Sequence, residues 1–190
     1  MEAALKEFLS RRKKETITIP TRIPSAVLMP LYRENGKYHI VFIRRSITVP
    51  THQGQIAFPG GARHKTDKNL RETALRETRE EIGVDPKDVT VLGELDDQIT
   101  TTSNFVLTPF VGVIPWPYKF TLNKAEVETL LFVPLHTLMD NSNRKPEMET
   151  LNGENYPSYA YYYHGKRIWG ATARIIYLFL EILKQIEPAA

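Results

Sequence analysis

Three glutamates, Glu77, Glu80 and Glu81, lie close together near the middle of the chain. Their spacing of three and four residues places the carboxylates on one side of a helix. Like charges at this spacing repel by about 0.2–0.5 kcal/mol per pair on an exposed helix. Arg76 can offset part of that repulsion by pairing with Glu80 one turn later. The arrangement suits a hard cation such as Mg²⁺, which binds one or two carboxylates together with substrate phosphate oxygens.

A diglycine turn, Phe58-Pro59-Gly60-Gly61, precedes the glutamates. Pro59 fixes the backbone entering the turn, and the two glycines allow positive φ and a close approach of the backbone to a ligand. Alone, a Gly-Gly pair is usually a turn and a Glu-rich helical face is usually solvated. Together and in this order, they indicate metal-assisted phosphoryl chemistry, in which metal ions neutralise developing charge and activate water.

This combination resembles the signature of the Nudix hydrolases. The matching residues are Arg76, Glu77, Glu80, Glu81, Gly83 and Val84. Two positions depart from the pattern. Thr78 stands where an apolar residue is usual, and Lys68 stands where an upstream glutamate would align, so no site is assigned there.

The resemblance implies a fold and a set of metal ligands. The fold is an α/β (α+β) architecture, a Nudix-type α/β/α sandwich with a mixed β-sheet, in which residues 60–84 form a loop-helix-loop. The implied ligands of Mg²⁺, or of Mn²⁺ in its place, are Glu77, Glu80, Glu81 and the Gly60 carbonyl. Arg76 would orient the glutamates.

The segment before the diglycine is similar to that of the coenzyme A pyrophosphatase branch. Arg45, Ser46, Gly54 and Phe58–Gly61 fall in register with it, and Ile168–Ala173 agrees near the C-terminus. The implied reaction cleaves the diphosphate of coenzyme A or its derivatives, giving 4′-phosphopantetheine, or its acyl form, and adenosine 3′,5′-bisphosphate. Pro50 replaces the second arginine of the branch, which removes a guanidinium suited to phosphate. Arg44 or Arg63 could substitute for it.

Three alternatives stay open. Pro50 favours an ADP-ribose or nucleoside-diphosphate-sugar hydrolase. A catalytically inactive nucleotide-sensing module is the second, although such a module has no need of three mutually repelling carboxylates. RNA 5′-end processing is the third and is disfavoured, because no basic stripe with interleaved aromatic residues is present.

Several further residues are candidates for contact with the substrate. We expect polar or close backbone contacts from Arg44, Arg45, Ser46, His52, Gln53, Gly54, Gln55 and Gly61. A loop histidine bonded to backbone is an equally good interpretation of His52. Glu126 is a candidate general base, and an exposed turn glutamate is its simpler interpretation. Tyr161, Tyr162, Tyr163 and Trp169 include either an adenine-stacking surface or, more simply, core packing.

Composition narrows the class of protein. The chain has 190 residues, a formal net charge of +3 and no cysteine. These features exclude disulfides, thiolate nucleophiles and cysteine-based zinc sites, and they fit one cytoplasmic domain over residues 1–190 that binds an anionic small molecule. We expect no nucleic-acid or membrane partner. Oligomeric state stays open, with a homodimer as one alternative.

Periodicity and turn residues predict the elements that position the site. Residues 1–20 should form a helix and lead-in, and Asn35-Gly36 should join a β-hairpin. Residues 46–67 read as a long functional loop. A helix should follow, capped by Asp67 and ended by Gly83. Strands are expected at 89–92, 106–114 and 127–133, a helical turn at 134–139, a polar loop at 141–156, a hairpin at 159–169 and a closing helix at 171–186.

Overall fold

The fold is seen in a computed structural model that describes residues 1–151 and 153–186. Within these residues, eight strands form one sheet: β1 (Ile23–Glu34), β2 (Lys37–Arg45), β3 (Ile56–Ala57), β4 (Gly60–Ala62), β5 (Thr90–Glu94), β6 (Gln98–Ile99), β7 (Phe105–Val113) and β8 (Val127–Pro134). A second sheet contains β9 (Arg144–Leu151), β10 (Glu154–Tyr163) and β11 (Lys166–Ile168). The helices are α1 (Glu2–Arg11), α2 (Leu70–Ile82), α3 (Leu135–Met139) and α4 (Gly170–Ile186).

The large sheet is mixed, as predicted. β1 forms the expected hairpin with β2 through a turn in which Asn35 and Gly36 have positive φ, and it runs parallel to β7 along its other edge. β4, which begins with the diglycine, pairs with β1, and β8 pairs with β2. β1 therefore connects the strand that carries the diglycine with the rest of the sheet.

Two hydrophobic clusters lie on opposite faces of the sheet, because successive side chains of a strand point to opposite sides. On β1, Met29 and Leu31 join the cluster that includes residues of α1 and α4, whereas Leu28 and Tyr32 join the cluster that includes residues of α2. This arrangement confirms an α/β architecture with helices on both faces of a mixed sheet. No helix among the described residues is long and apolar enough to cross a membrane.

The polar loop predicted for residues 141–156 is wrong. A short 3₁₀ turn, Asn141–Asn143, leads into the antiparallel strands β9 and β10. Glu147 and Glu149 are charged residues within β9. The hairpin therefore lacks the simple apolar–polar alternation by which a strand is recognised in a sequence. The strands are held by cross-strand and ionic contacts instead.

The predicted cap at Asp67 is also wrong. The helix cap is Asn69, whose side chain accepts a hydrogen bond from the Glu72 amide at 2.9 Å. Gly83 ends the helix in the left-handed conformation, as predicted, with φ of 75°. The loop predicted for residues 46–67 is interrupted by β3 and β4.

Candidate active site

Helix α2 is built to present one side to the large sheet and another to a cavity. Ala74, Thr78 and Ile82 are fully buried. Thr78 can occupy an apolar environment because its hydroxyl donates a hydrogen bond to the Ala74 carbonyl at 2.7 Å. This bond satisfies the polar group within the helix itself. The departure from an apolar residue at this position is therefore compatible with the fold.

A cavity of about 330 Å³ lies where α2, the diglycine turn and the start of α4 meet. It is lined on one part by the carboxylates of Glu77, Glu81 and Glu126 and by the backbone of Gly60 and Gly61. Gly60, Gly61 and Glu126 thus share one space with Glu77 and Glu81, although each lies at least 16 positions from either glutamate in the sequence. This cavity is the candidate active site.

Glu81 is the most buried of these acids, with 1% of its surface exposed. Its Oε2 accepts a hydrogen bond from the Gly60 amide at 2.9 Å, and Arg45 Nη1 lies 3.9 Å from its Oε1. Burial raises the pKa of Glu81 to about 8, although the Gly60 amide and the Arg45 charge oppose the rise. Neighbouring Glu77 and Glu126 add to it by repulsion. A cation beside this group would favour the ionised carboxylate.

Glu77 lies directly against the second glycine. A Cβ placed on Gly61 would be 2.6 Å from Glu77 Cδ and 2.7 Å from each of its carboxylate oxygens. No side chain fits between the turn and the carboxylate. Burial raises the pKa of Glu77, and a hydrogen bond of 2.8 Å from Arg76 Nη1 opposes that rise. The diglycine therefore brings the backbone against both Glu77 and Glu81.

Glu80 is placed differently from its two neighbours. Its side chain is 54% exposed, does not line the cavity, and accepts a hydrogen bond from Arg76 Nη1 at 2.9 Å. Arg76 thus bridges Glu77 and Glu80, in keeping with the orienting role expected for it.

Asp67 holds Arg76 in place, and sequence reasoning missed this role. The guanidinium donates to both Asp67 oxygens at 3.0 Å and to the Ala62 carbonyl at 3.1 Å. Asp67 also accepts from the Thr73 hydroxyl at 2.9 Å. These bonds, that of Arg76 first, hold the pKa of Asp67 well below its ordinary value and raise the pKa of Arg76. A nine-residue separation between Asp67 and Arg76 has no recognisable spacing rule, so no pattern could have found the pair.

The residues fit a divalent cation by the chemistry of their donors. Glu77, Glu81 and the Gly60 backbone supply hard oxygen atoms next to open volume. In the described part of the chain, no three acidic or histidine side chains approach closely enough to form a complete cation site by themselves. Mg²⁺ does not require three, since it keeps several waters and takes phosphate oxygens from substrate.

The predicted substrate contacts divide into two groups. Arg45, His52, Gln55 and Gly61 line the cavity. His52 Nδ1 and Gln55 Oε1 are 3.1 Å apart, so His52 is bonded to a side chain of the same loop rather than to backbone. Both can present their remaining polar atoms to a ligand.

The second group lies outside the cavity lining. Arg44 pairs with Glu128 at 2.9 Å. Ser46 Oγ is 2.7 Å from the Thr48 hydroxyl, and Gln53 donates to the Val49 carbonyl at 2.9 Å. Gly54 has φ of 67° and turns the loop. Arg63, considered as a substitute for the missing arginine, donates to the carbonyls of Asp67 and Lys68.

The aromatic residues near the C-terminus also fall into two groups, one in the core and one in the cavity lining. Tyr161 is fully buried in the core, whereas Trp169 lines the cavity. Arg167 lies over the Trp169 ring, 4.9 Å from its centroid. The cavity lining further includes the segment Thr100–Ser103, which sequence reasoning did not single out.

Comparison with known proteins places the fold and the sequence in one family. Residues 22–153 match the NUDIX domain family model. The uncharacterized Nudix hydrolase NudL of Photorhabdus laumondii is 34% identical over 189 residues, covering 97% of this chain and 98% of that protein. That of Pectobacterium atrosepticum is 38% identical over 153 residues, covering 80% and 79% respectively.

Solved structures agree at the level of the fold. A MutT/nudix family protein from Enterococcus faecalis matches with a TM-score of 0.57 and 12% identity, covering 99% of this chain and 76% of that one. The binary complex of a C. elegans Ap4A hydrolase matches with a TM-score of 0.51 and 17% identity, covering 60% and 81%.

Proposed function

The chain belongs to the Nudix hydrolase family, and from this membership we propose a Mg²⁺-dependent hydrolysis of the diphosphate of coenzyme A or its derivatives. The products are 4′-phosphopantetheine, or its acyl form, and adenosine 3′,5′-bisphosphate. The observation that carries the proposal is the meeting of Glu77, Glu81, Glu126 and the diglycine backbone in one cavity with Arg45.

Glu77, Glu81 and the Gly60 carbonyl would hold the metal. Glu80 lies outside the cavity lining and would join them as a ligand only by giving up its hydrogen bond from Arg76. When bound, the metal neutralises charge on the phosphate oxygens and lowers the pKa of water, and Mn²⁺ supplies the same chemistry. Arg76 fixes the Glu77 carboxylate through its 2.8 Å hydrogen bond. The Gly60 amide fixes Glu81 through its hydrogen bond to Oε2.

Glu126 is proposed as the general base that accepts a proton from the attacking water. It lines the cavity, and Asn123 donates to its Oε1 at 3.1 Å, which orients the carboxylate and leaves Oε2 for the water. Its backbone carbonyl accepts from the Ser46 amide at 2.8 Å, which fixes the loop that carries it. A positioned base contributes about 10²–10⁴-fold to rate.

Support for coenzyme A comes from the residues that resemble its branch. Arg45 and the Phe58–Gly61 turn surround the cavity, and the Trp169–Thr172 stretch of the C-terminal match lines it. Ser46 and Gly54 shape the loop that connects Arg45 with the Phe58–Gly61 turn. Ser46 does so through its hydrogen bond with Thr48, and Gly54 through its positive φ.

An ADP-ribose or nucleoside-diphosphate-sugar hydrolase is the second candidate, and one observation favours it. Among the described residues that line the cavity, Arg45 is the only arginine, and no lysine accompanies it. Coenzyme A carries a 3′-phosphate in addition to its diphosphate, and that group has a weaker electrostatic partner here than the second arginine of the branch would provide.

Turnover of a substrate panel distinguishes the two candidates. Coenzyme A, dephospho-coenzyme A, ADP-ribose and a nucleoside-diphosphate sugar are compared at equal Mg²⁺ by kcat/KM. We expect coenzyme A to be the best substrate. An equal or higher value for ADP-ribose would overturn the coenzyme A assignment in favour of the second candidate.

The metal-dependent mechanism is tested by Glu81→Gln. We expect loss of activity by about 100-fold or more, since the neutral amide is a poor ligand for the metal. Glu72→Gln is the matched control on the same helix, because Glu72 lies outside the cavity and bonds the Lys68 amide. Full activity of Glu81→Gln, or activity that persists in EDTA, would argue against the metal-dependent mechanism and for another chemistry. Binding of the panel compounds by the unmodified protein without turnover would instead favour a nucleotide-sensing module.

A further inference from the structure

The segment Thr100–Ser103 lines the cavity with four hydroxyl side chains and is held rigidly from within. Thr100 Oγ1 donates to the Ser103 carbonyl at 2.6 Å and accepts from the Phe105 amide at 3.1 Å. Arg22 donates to the carbonyls of Thr100, Ser103 and Phe105 at 2.9, 3.3 and 3.3 Å. The segment is therefore a fixed turn in which the protein satisfies the carbonyls of Thr100 and Ser103.

Two polar atoms of cavity-lining residues are buried and have no hydrogen-bond partner within the described residues, Ser103 Oγ and Arg45 Nε. Buried polar groups are hydrogen-bonded in the great majority of cases, because an unpaired one loses its hydrogen bonds to water without replacement. Both atoms belong to residues that face the same open volume. The two atoms themselves are closed off from the cavity, and rotation about the Cα–Cβ bond of Ser103 would present its unpaired hydroxyl to a bound substrate.

A partly buried ion pair fixes the same segment from the second sheet and α4. Arg174 donates to the Ile99 carbonyl at 2.5 Å and to Gln98 Oε1 at 3.3 Å, immediately before the segment begins. It also donates to the carboxylate of Glu149 on β9. Glu149 accepts in turn from the Thr101 hydroxyl at 3.3 Å, and its side chain is only 9% exposed.

We propose that Thr100–Ser103 binds the organic part of the substrate, with Ser103 as a specificity-determining residue, and that Glu149 and Arg174 are positioning residues for it. This inference rests on the proposed function. Hydroxyl side chains with Trp169 nearby suit a neutral group that carries hydroxyls or amides. The glutamates proposed for the metal lie on α2, so substrate affinity and metal-dependent chemistry are assigned to different segments.

Kinetics of four variants tests the proposal with the best substrate of the panel. Ser103→Ala and Glu149→Gln should each raise KM about fivefold to tenfold, which corresponds to the loss of about one hydrogen bond. Their kcat and the Mg²⁺ concentration at half-maximal activity should stay within about twofold of those of the unmodified protein. Arg174→Lys, which keeps the charge, should raise KM less than Arg174→Met.

Glu147→Gln is the matched control. Glu147 lies two residues from Glu149 on β9, but it pairs with Arg167 at 2.6 Å and makes no hydrogen bond to the segment. Its KM should not change. A rise in KM equal to that of Glu149→Gln, or a fall in kcat without a change in KM for Ser103→Ala, would overturn the proposal.

Hydrogen exchange gives a readout that does not depend on turnover. Amides of residues 98–105 should exchange faster in Glu149→Gln than in Glu147→Gln, because only the former loses the contacts to Arg174 and Thr101. Equal exchange would overturn the positioning role. Failure of every panel substrate would instead overturn the proposed function, and the exchange result would still stand by itself.

The same measurements show which half of the substrate Ser103 contacts. An equal rise in KM for coenzyme A and ADP-ribose in Ser103→Ala supports contact with the adenosine half, which both share. A rise for both coenzyme A and dephospho-coenzyme A, but not for ADP-ribose, supports contact with the pantetheine amides. No rise for either overturns the role of Ser103.

Discussion

At the scale of single residues, the site depends on how closely backbone and carboxylate approach each other. Glu81 accepts a hydrogen bond from the Gly60 amide, and the Glu77 carboxylate occupies the volume that a side chain on Gly61 would need. The two glycines serve different purposes. Gly60 has φ of 155°, which side chains rarely adopt, whereas Gly61 does not have a positive φ.

Gly61→Ala is a specific test of that contact. The added Cβ would displace the Glu77 carboxylate, so we expect kcat/KM to fall at least about tenfold and the Mg²⁺ requirement to rise. The backbone conformation is compatible with alanine, so the circular dichroism spectrum should be retained. Steady-state kinetics over a range of Mg²⁺ concentrations measures the effect.

Gly60→Ala is the contrasting variant. Its Cβ would lie 2.3 Å from the Ala26 carbonyl oxygen, and we expect it to lower the melting temperature as well as the activity. If Gly61→Ala retained full activity at low Mg²⁺, the contact between Gly61 and Glu77 would have no part in the reaction.

The residues that sequence alone could find are those whose spacing has a geometric meaning. Glu77 and Glu81 are four apart on a helix, and both line the cavity. Ser103 and Glu149 could not be found in this way. Ser103 lies in a turn without a helical or strand period, and Glu149 contacts Thr101 and Arg174, which are far from it along the chain.

At the scale of elements, two residues just before α2 have different functions, although they are only two positions apart in the sequence. Asn69 caps the helix, whereas Asp67 bonds Arg76 and Thr73 and thereby holds the orientation of the glutamates. A pattern search cannot distinguish them, because aspartate and asparagine are both good caps two residues apart. Only the position of Arg76 in the folded protein shows that Asp67 is its partner and that Asn69 is the cap.

Asp67→Asn should change the dependence of stability on pH. The folded-state pKa lies below the ordinary value of 3.8, so the ionised group stabilises the fold above about pH 4, and this contribution is lost as the pH falls below that value. We expect the variant to lose about 2 kcal/mol of unfolding free energy at pH 7 and to lose less on acidification. Urea denaturation at pH 7 and at acidic pH measures both.

Asn69→Ala provides the comparison for this helix terminus. Removal of the cap should cost about 1 kcal/mol at either pH, since the amide does not titrate. A pH dependence of Asp67→Asn identical to that of the unmodified protein would contradict the assignment of the Asp67–Arg76 pair.

Elements with a regular pattern were predicted from sequence, and those without one were not. The β1–β2 hairpin, α2 and α4 follow from turn residues and periodicity. β9 and the first part of β10 were missed, because their charged residues satisfy contacts to β11, α4 and the cavity segment rather than forming an apolar face.

At the scale of the whole molecule, helices on two faces hold a mixed sheet whose edge supplies the diglycine. The fold class follows from the sequence, since alternating strands and helices in a chain of this length predict a layered α/β structure. The meeting of Thr100–Ser103 with α4 in the cavity does not follow, because it depends on how the second sheet packs.

Binding of Mg²⁺ should stabilise the whole molecule. A ligand that binds only the folded state at about 100 times its Kd adds about 2.7 kcal/mol. For a chain of this size that corresponds to a rise of about 5–10 °C in Tm. Thermal denaturation with and without Mg²⁺ measures it. Glu81→Gln should show little of the rise, and an equal rise in both proteins would place the binding elsewhere.

The parallel pairing of β1 with β7 has a consequence for the order of assembly. Ile23 faces Phe105 across that pairing, and no local turn can bring such distant partners together. Contacts of this kind delay folding, because a long loop must close before they contribute. The β1–β2 hairpin can arise early during synthesis, whereas the chamber for the substrate takes shape only after the ribosome has delivered the polypeptide well beyond β7, as far as the start of α4.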